Sequence, residues 1–294
     1  MASASITTWL QATRPRTLAA AVVPVLMGTA LAAREGGLHL PSAVAALVGA
    51  LLLQVGANFA NDFYDFKNGA DNADRLGPAR AVATGLISPA AMRVAFALVF
   101  ALALVVGGLL VWRGGAPIVV IGLCSILFGV LYTGGPFPLG YLGLGEVLVL
   151  VFFGPVAVAG TVYVQTLSWS WAAVLAGLAP GLLASAILVV NNLRDIPTDR
   201  VAGKNTLAVR FGATFARVEY LLFVLVACAV PLALYALGYA GAPVLLATLA
   251  LLPGLALTRR VWREEGTRLN PRLGQTGALL VVFGALFTVG VLLP

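Results

Sequence analysis

The stretch NFANDFYDFKNGAD, residues 58–71, closes an apolar run that begins near residue 42, and it gathers three aspartates and three asparagines within a few turns of chain. An apolar run of about 20 residues is long enough to cross the hydrocarbon core of a bilayer. A carboxylate inside such a span costs roughly 2.5–3.5 kcal/mol at the membrane centre and less near the interface. The cluster therefore marks the end of a membrane span, and its acids need either water or a partner.

The rest of the chain has the same character. Of 294 residues, 61% are hydrophobic and 10% charged, and the mean hydropathy is +1.00, against roughly 45–50% apolar residues in a soluble domain. These values predict an all-α, polytopic membrane protein, one integral-membrane domain over residues 1–294. Apolar runs near 17–33, 42–61, 90–112, 116–132, 142–165, 170–192, 218–239, 242–258 and 276–293 suggest about nine transmembrane helices in one bundle. The fourth and eighth are short and contain Pro117 and Pro253, so eight helices with one re-entrant segment is the alternative.

Nine crossings place the termini on opposite faces, and cations then set the orientation. All of the 18 lysines and arginines except Arg34 and Arg113 fall on the N-terminal side, which predicts that the N-terminus and the acid-bearing loops are cytoplasmic in a cell-membrane protein. The net charge of +7 is spread over loops beside the membrane, so orientation explains it and nucleic acid is not an expected partner. Residues 1–13 lack the charged start and small-residue cleavage site of a signal peptide. Cys124 and Cys228 stand alone within spans, and the only histidine, His39, lies in an outer loop, which argues against disulfide, thiolate-metal and histidine-based chemistry.

On a helix turning about 100° per residue, Asn58, Asp62 and Asp65 share one face, which continues back to Gln54. A second cluster, NNLRDIPTDR at 191–200, repeats the offset in Asn191 and Asp195, with Asp199 four residues further on. Pro197 is expected to interrupt that helix and leave Asp199 on a loop. Each cluster is followed by cations and a glycine, GPARAVATGLIS at 77–88 and GKNTLAVRFG at 203–212, so helices 2–3 and 6–7 read either as a pseudo-repeat or as two similar inner loops. Asp71 and Asp74 extend the first cluster.

Any one of these aspartates is adequately explained as a solvated loop charge. Brought together, the two clusters would repel, and a divalent cation removes that repulsion. Carboxylates and amide carbonyls are hard oxygen ligands suited to Mg²⁺, which commonly keeps waters and shares substrate phosphates. Lys67, Arg75, Arg80, Arg194, Lys204 and Arg210 supply the anion-binding side. A diphosphate held by metal and cations together is the expected ligand.

The segments NDFYDFKNGAD, GPARAV, LYTGGPFPLGYLGLGE and NNLRDIPTDRVAGKNTLAVRFG, with RPRTLAAAVVPVLMG near the start, resemble the UbiA-type intramembrane prenyltransferases. Within that superfamily the likeness is greatest to the branch that prenylates 1,4-dihydroxy-2-naphthoate in menaquinone synthesis. The resemblance implies that Asn58, Asp62, Asp65, Asn191, Asp195 and Asp199 match the motif positions that bind Mg²⁺ and a polyprenyl diphosphate. The superfamily's first motif carries a further acid four residues after the second one, where this chain has Gly69 and then Asp71. Three assignments stay open. Tyr132 either contacts the diphosphate or the allylic cation, or is an interfacial tyrosine; Glu146 either orients the acceptor or stabilises a helix start; Arg14 and Arg16 either hold the acceptor carboxylate or serve orientation.

The branch is not decided by ligand chemistry: 4-hydroxybenzoate, homogentisate, chlorophyllide and haem are competing acceptors. From a different class, paired acids in a helical bundle also suit a cation-coupled transporter, although a transporter would be expected to place them near mid-membrane. The orientation is directly testable. A cysteine introduced in the loop around Arg75 should be inaccessible to an impermeant thiol reagent added outside intact cells, and one near Gly36 should react; the reverse labelling would overturn the topology.

Overall fold

The computed structural model describes residues 5–71 and 75–294; Asp74 lies outside them. Every regular element among the described residues is helical, without a strand. In chain order the helices are α1 (Ile6–Ala12), α2 (Ala19–Arg34), α3 (Leu40–Lys67), α4 (Pro89–Gly114), α5 (Ala116–Leu131), α6 (Gly145–Val151), α7 (Ala157–Thr166), α8 (Trp171–Val201), α9 (Leu207–Ala236), α10 (Leu251–Arg263) and α11 (Asn270–Leu292). Side-chain caps fix the starts of the long helices. Ser88, Ser170 and Thr206 each accept a hydrogen bond from the backbone N–H three residues on, at the heads of α4, α8 and α9, and His39 does so for α3.

Seven helical segments are long and apolar enough to cross a membrane, and the pair Ile6–Thr17 and Ala19–Arg34, bent by 53°, makes up to eight. The expected count of nine would need α5 to cross as well, and it has only 16 residues, about 24 Å of helix. Several helices outrun the expected spans. α3 continues to Lys67 and α8 to Val201, so Asp62, Asp65, Asp195 and Asp199 all sit on helix rather than in loops. Pro197 does not end α8. A proline removes one backbone hydrogen bond and crowds the preceding turn, but Pro197 lies on the exposed side of a helix whose opposite face, with Asn192, Asp195 and Asp199, is buried. Tertiary packing thus outweighs the local break and keeps Asp199 on the same face as Asp195.

The fifth expected span is bent in its middle. Between α6 and α7 a π turn at Phe152–Val156 absorbs Pro155, and Gly154 there leaves helical geometry (φ −111°, ψ −110°). This bend rests against α8, the central helix, which also packs on α2, α6, α7, α9 and α11. Backbones nearly touch at the crossing: a Cβ on Gly181 would fall 2.4 Å from the Leu150 carbonyl oxygen and 2.9 Å from the Gly154 Cα. α4 lies at the periphery and turns Leu98, Leu102, Val105, Leu109 and Trp112 to lipid. A small second core, Trp9, Ala12, Phe59, Ala81, Val82, Ile87 and Met92, holds α1 and the α3–α4 loop beside the acid-bearing end of α3.

Close approach without room for a methyl group should make Gly181→Ala costly, by about 1–3 kcal/mol as for other overpacked cores. Gly107→Ala on α4, where an added Cβ meets nothing within 4 Å, is the matched control. Thermal unfolding in detergent should show a lowered midpoint for the first only; equal midpoints would mean that the α6–α8 crossing is looser than described.

Candidate active site

A cavity of about 600 Å³ opens among α2, α3, α4, α5, α7 and α8. Its polar end is lined by Asn58, Asn61 and Asp65 of α3, by Arg75 and Arg80 of the following loop, by Tyr132 and Tyr141, by Asn191, Asn192, Asp195 and Asp199 of α8, and by Lys204. Further along the same helices the lining becomes apolar, with Leu53, Leu104, Ile121, Phe128, Phe152 and Val156. Arg14 reaches the wall from the break between α1 and α2. Among the described residues it is one of two non-glycine positions with left-handed backbone (φ +55°), a conformation that costs about 1–3 kcal/mol and collects at functional sites.

The acids differ in what already holds them. Asp65 accepts from the Tyr141 hydroxyl at 2.8 Å and lies 3.1 Å from Lys204 Nζ, which itself stands 4.7 Å above the Tyr141 ring. Asp195 is gripped by the neighbouring Arg194, through Nε and Nη2 at 2.7 and 2.5 Å. Asp199 lines the cavity with no hydrogen-bond donor among the described residues. Asp71, 4% exposed, pairs with Arg75 and lies 3.4 Å from Arg80 Nε. Burial pushes the Arg75 guanidinium below its usual range, opposed by Asp195 and Asp65. Burial first, and then the Asp65 charge, push the Tyr141 phenol up, so it stays protonated as the donor to Asp65.

Of the residues singled out from sequence, Asn58, Asp65, Arg75, Arg80, Tyr132, Asn191, Asp195, Asp199, Lys204 and Arg14 meet in this cavity; Asp62, Asp71, Glu146, Arg194, Arg210, Arg16 and Lys67, the last exposed at the end of α3, do not line it. Asp62 is turned to the α3–α4 loop, where its two oxygens accept the Ala81 and Val82 amides at 3.2 Å each. Arg194 is 1% exposed and serves Asp195 and Asn191 from behind. Glu146 is buried in the first turn of α6 and accepts from Asn192 Nδ2 at 2.7 Å. Arg210 is exposed and donates to the Leu142 carbonyl, and Arg16 is exposed near the α2 start. Tyr141, Asn61 and Asn192 line the cavity without having been singled out. Asn61 and Asn192 adjoin motif positions, so the motifs hinted at them; Tyr141 comes from a loop whose approach to Asp65 no local pattern signals.

Among the described residues no three acidic, histidine or cysteine side chains form a metal cage by themselves. The donor set is nonetheless of the hard-oxygen kind. The Asp65, Asp195 and Asp199 carboxylates are joined by Asn58, whose Nδ2 is spent on the Thr13 carbonyl at 2.9 Å and whose Oδ1 has no donor among the described residues. Asn191 Oδ1, by contrast, accepts from Arg194 at 2.7 Å. An incomplete oxygen set fits a small divalent cation that takes its remaining ligands from water and a bound phosphate.

Comparison with known proteins places this geometry. The UbiA prenyltransferase family profile matches residues 21–276. The chain belongs to the UbiA prenyltransferase family. It is 43% identical over 217 residues to the 1,4-dihydroxy-2-naphthoate octaprenyltransferase of Mycobacterium tuberculosis, covering 74% of each chain. It is 35% identical to the enzyme of the same name from Haemophilus influenzae, covering 97% of this chain and 96% of that one. Its fold is shared with a UbiA homolog from Archaeoglobus fulgidus bound to DMAPP and Mg²⁺ (TM-score 0.67, 17% identity, 96% of this chain and 99% of that one). It is shared also with a UbiA homolog from Aeropyrum pernix K1 (TM-score 0.73, 17% identity, 92% and 97%). The chain is thus a multi-pass membrane protein of the UbiA family.

In this family setting Tyr141 becomes a specific test of the site. Tyr141→Phe keeps the ring beneath Lys204 and removes the hydroxyl that Asp65 accepts. Turnover of purified protein should fall about tenfold, equivalent to about 1.4 kcal/mol; an unchanged rate would show that this bond plays no part in the working state.

Proposed function

We propose that the chain transfers a polyprenyl group from an allylic polyprenyl diphosphate to 1,4-dihydroxy-2-naphthoate, releasing diphosphate and CO₂ and giving demethylmenaquinol, the hydroquinone form of demethylmenaquinone. The observation that carries this reading is the two-phase cavity, with carboxylates and cations at one end and hydrocarbon walls at the other. The diphosphate belongs at the polar end and the prenyl chain along the apolar one. The naphthoate acceptor rests on the 35–43% identity to enzymes of that name. The whole chain, 1–294, acts as one unit, with its N-terminus and the acid-bearing ends of α3 and α8 on the cytoplasmic face.

Arg75, Arg80 and Lys204 neutralise charge on the leaving diphosphate as the allylic C–O bond breaks, a contribution largest where that charge develops. Asp65, Asp195 and Asp199, with Asn58, would hold Mg²⁺, which when bound supplies Lewis-acid stabilisation of the same oxygens. Asp62 acts on the site through the loop that it anchors. Tyr132 and Tyr141 turn hydroxyls and ring faces toward the cavity in which the allylic cation forms. The apolar walls exclude water from that cation. The acceptor carbon bearing the carboxyl group attacks it, and the electron pair of the C–CO₂⁻ bond returns to the ring as CO₂ leaves, which restores the aromatic hydroquinone; no side-chain nucleophile is required. Arg14, at the cavity wall, is the group placed to hold the acceptor carboxylate.

Purified protein should be incubated with a polyprenyl diphosphate, Mg²⁺ and a panel of aromatic acceptors, and the lipid products weighed by mass spectrometry. The expected result is a prenylated, decarboxylated product from the naphthoate, abolished by EDTA and restored by Mg²⁺. Asp195→Asn and Asp199→Asn should each lower its rate at least about 100-fold, roughly 2.7 kcal/mol. The double variant should lose far less than the product of the two, because groups on one ion act as a unit. Product only from 4-hydroxybenzoate or homogentisate would move the chain to another branch, and near-normal rates in both single variants would dismiss the site.

A further inference from the structure

Arg194 is a fully buried guanidinium that does not touch the cavity, yet four of its hydrogen bonds have partners. Besides the two to Asp195 and the one to Asn191, Nη1 donates to Asn270 Oδ1 at 2.8 Å. Asn270 is the first residue of α11, 76 positions further along the chain. Its other amide atom is also committed: Nδ2 donates to the Leu76 carbonyl at 3.0 Å. The next residue, Gly77, presses its backbone onto the guanidinium so closely that a Cβ there would lie 2.7 Å from Arg194 Nη2.

Leu76 and Gly77 begin the segment that carries Arg75 and Arg80 into the cavity wall. The far end of that segment is fixed by Asp62 through the Ala81 and Val82 amides, and between the two ends Asp71 aims both arginines. We propose that Asn270 is a positioning residue for this reaction: one amide latches the arginine-bearing loop 75–82 and, through Arg194, the Asp195 carboxylate to the same point on α11. Asn270 touches no cavity atom, so it acts only through these two arms. The latch sets the distance between the cationic wall that meets the diphosphate and the carboxylate on α8. It rests on the diphosphate site proposed above.

The two arms separate by substitution. Asn270→Asp keeps an acceptor for Arg194 and places an acceptor against the Leu76 carbonyl, which releases the loop arm alone. Asn270→Leu removes both. Hydrogen exchange of the purified, uncleaved protein should show amides within 76–82 exchanging at least about tenfold faster in Asn270→Asp, while helices α3 and α8 keep their protection. The KM for polyprenyl diphosphate should rise about tenfold with the acceptor KM unchanged, and kcat should fall further only in Asn270→Leu, where Asp195 also loses its support. Asn270→Asp retains the α11 contact and carries the test if Asn270→Leu does not purify. Wild-type exchange in the loop, or faster exchange with an unchanged KM, would overturn the proposal. Failure of the wild-type protein to use any prenyl diphosphate would instead refute the function, a result that the exchange measurement does not depend on.

Discussion

Compensation of buried carboxylates is the constraint on which the rest of this structure depends. Asp65, Asp195 and Asp199 face one cavity inside a bundle built largely of hydrocarbon, and an ionised carboxylate there persists only if paired or bonded. Each is treated differently. Lys204 and Tyr141 attend Asp65, Arg194 holds Asp195 from behind, and Asp199 has no donor among the described residues. A site with one uncommitted acid in the same cavity as two committed ones is prepared for a ligand that brings positive charge with it.

The scaffold makes that convergence possible by unusually close helix contact. Gly181 and Gly154 let α8 and the π turn meet backbone to backbone, and packing of this kind, rather than a hydrophobic drive between helices, is what holds helices together in lipid. The central position of α8 follows, and with it the placing of its acids opposite those of α3. Because α3 and α8 run unbroken, polar residues at one end and apolar residues along the remainder become two ends of one cavity. That division suits a substrate with a charged head and a long apolar tail.

Much of the site was legible before folding. Asn58, Asp65, Asp195 and Asp199 are recognisable by residue type, by spacing that returns to one helix face and by their place at the end of apolar runs, since these are local properties. Lys204 and Arg75 follow as cations near the same ends. Arg194 was legible as a cation but not as a buried clamp, because its role depends on Asn191, Asp195 and Asn270 converging from two helices. Asp62 reads as a match for Asp65 in one dimension, yet it is turned onto the Ala81 and Val82 amides. Glu146, equally acidic, is bound to Asn192 and does not line the cavity.

Sequence alone determined the phase the chain occupies, the helical class and the chemistry available, because hydropathy, period and side-chain type are carried by each segment independently. Orientation and family resemblance were also within its reach as expectations. Tertiary structure alone decided which carboxylates share a cavity, that α8 runs unbroken past Pro197 to carry Asp199, and that Tyr141 and Asn270 join the acids from distant segments. The physical reason is the same in each case: those outcomes depend on the free energy of contacts between helices far apart in the chain, and a helix's own residues do not specify what will lie against it.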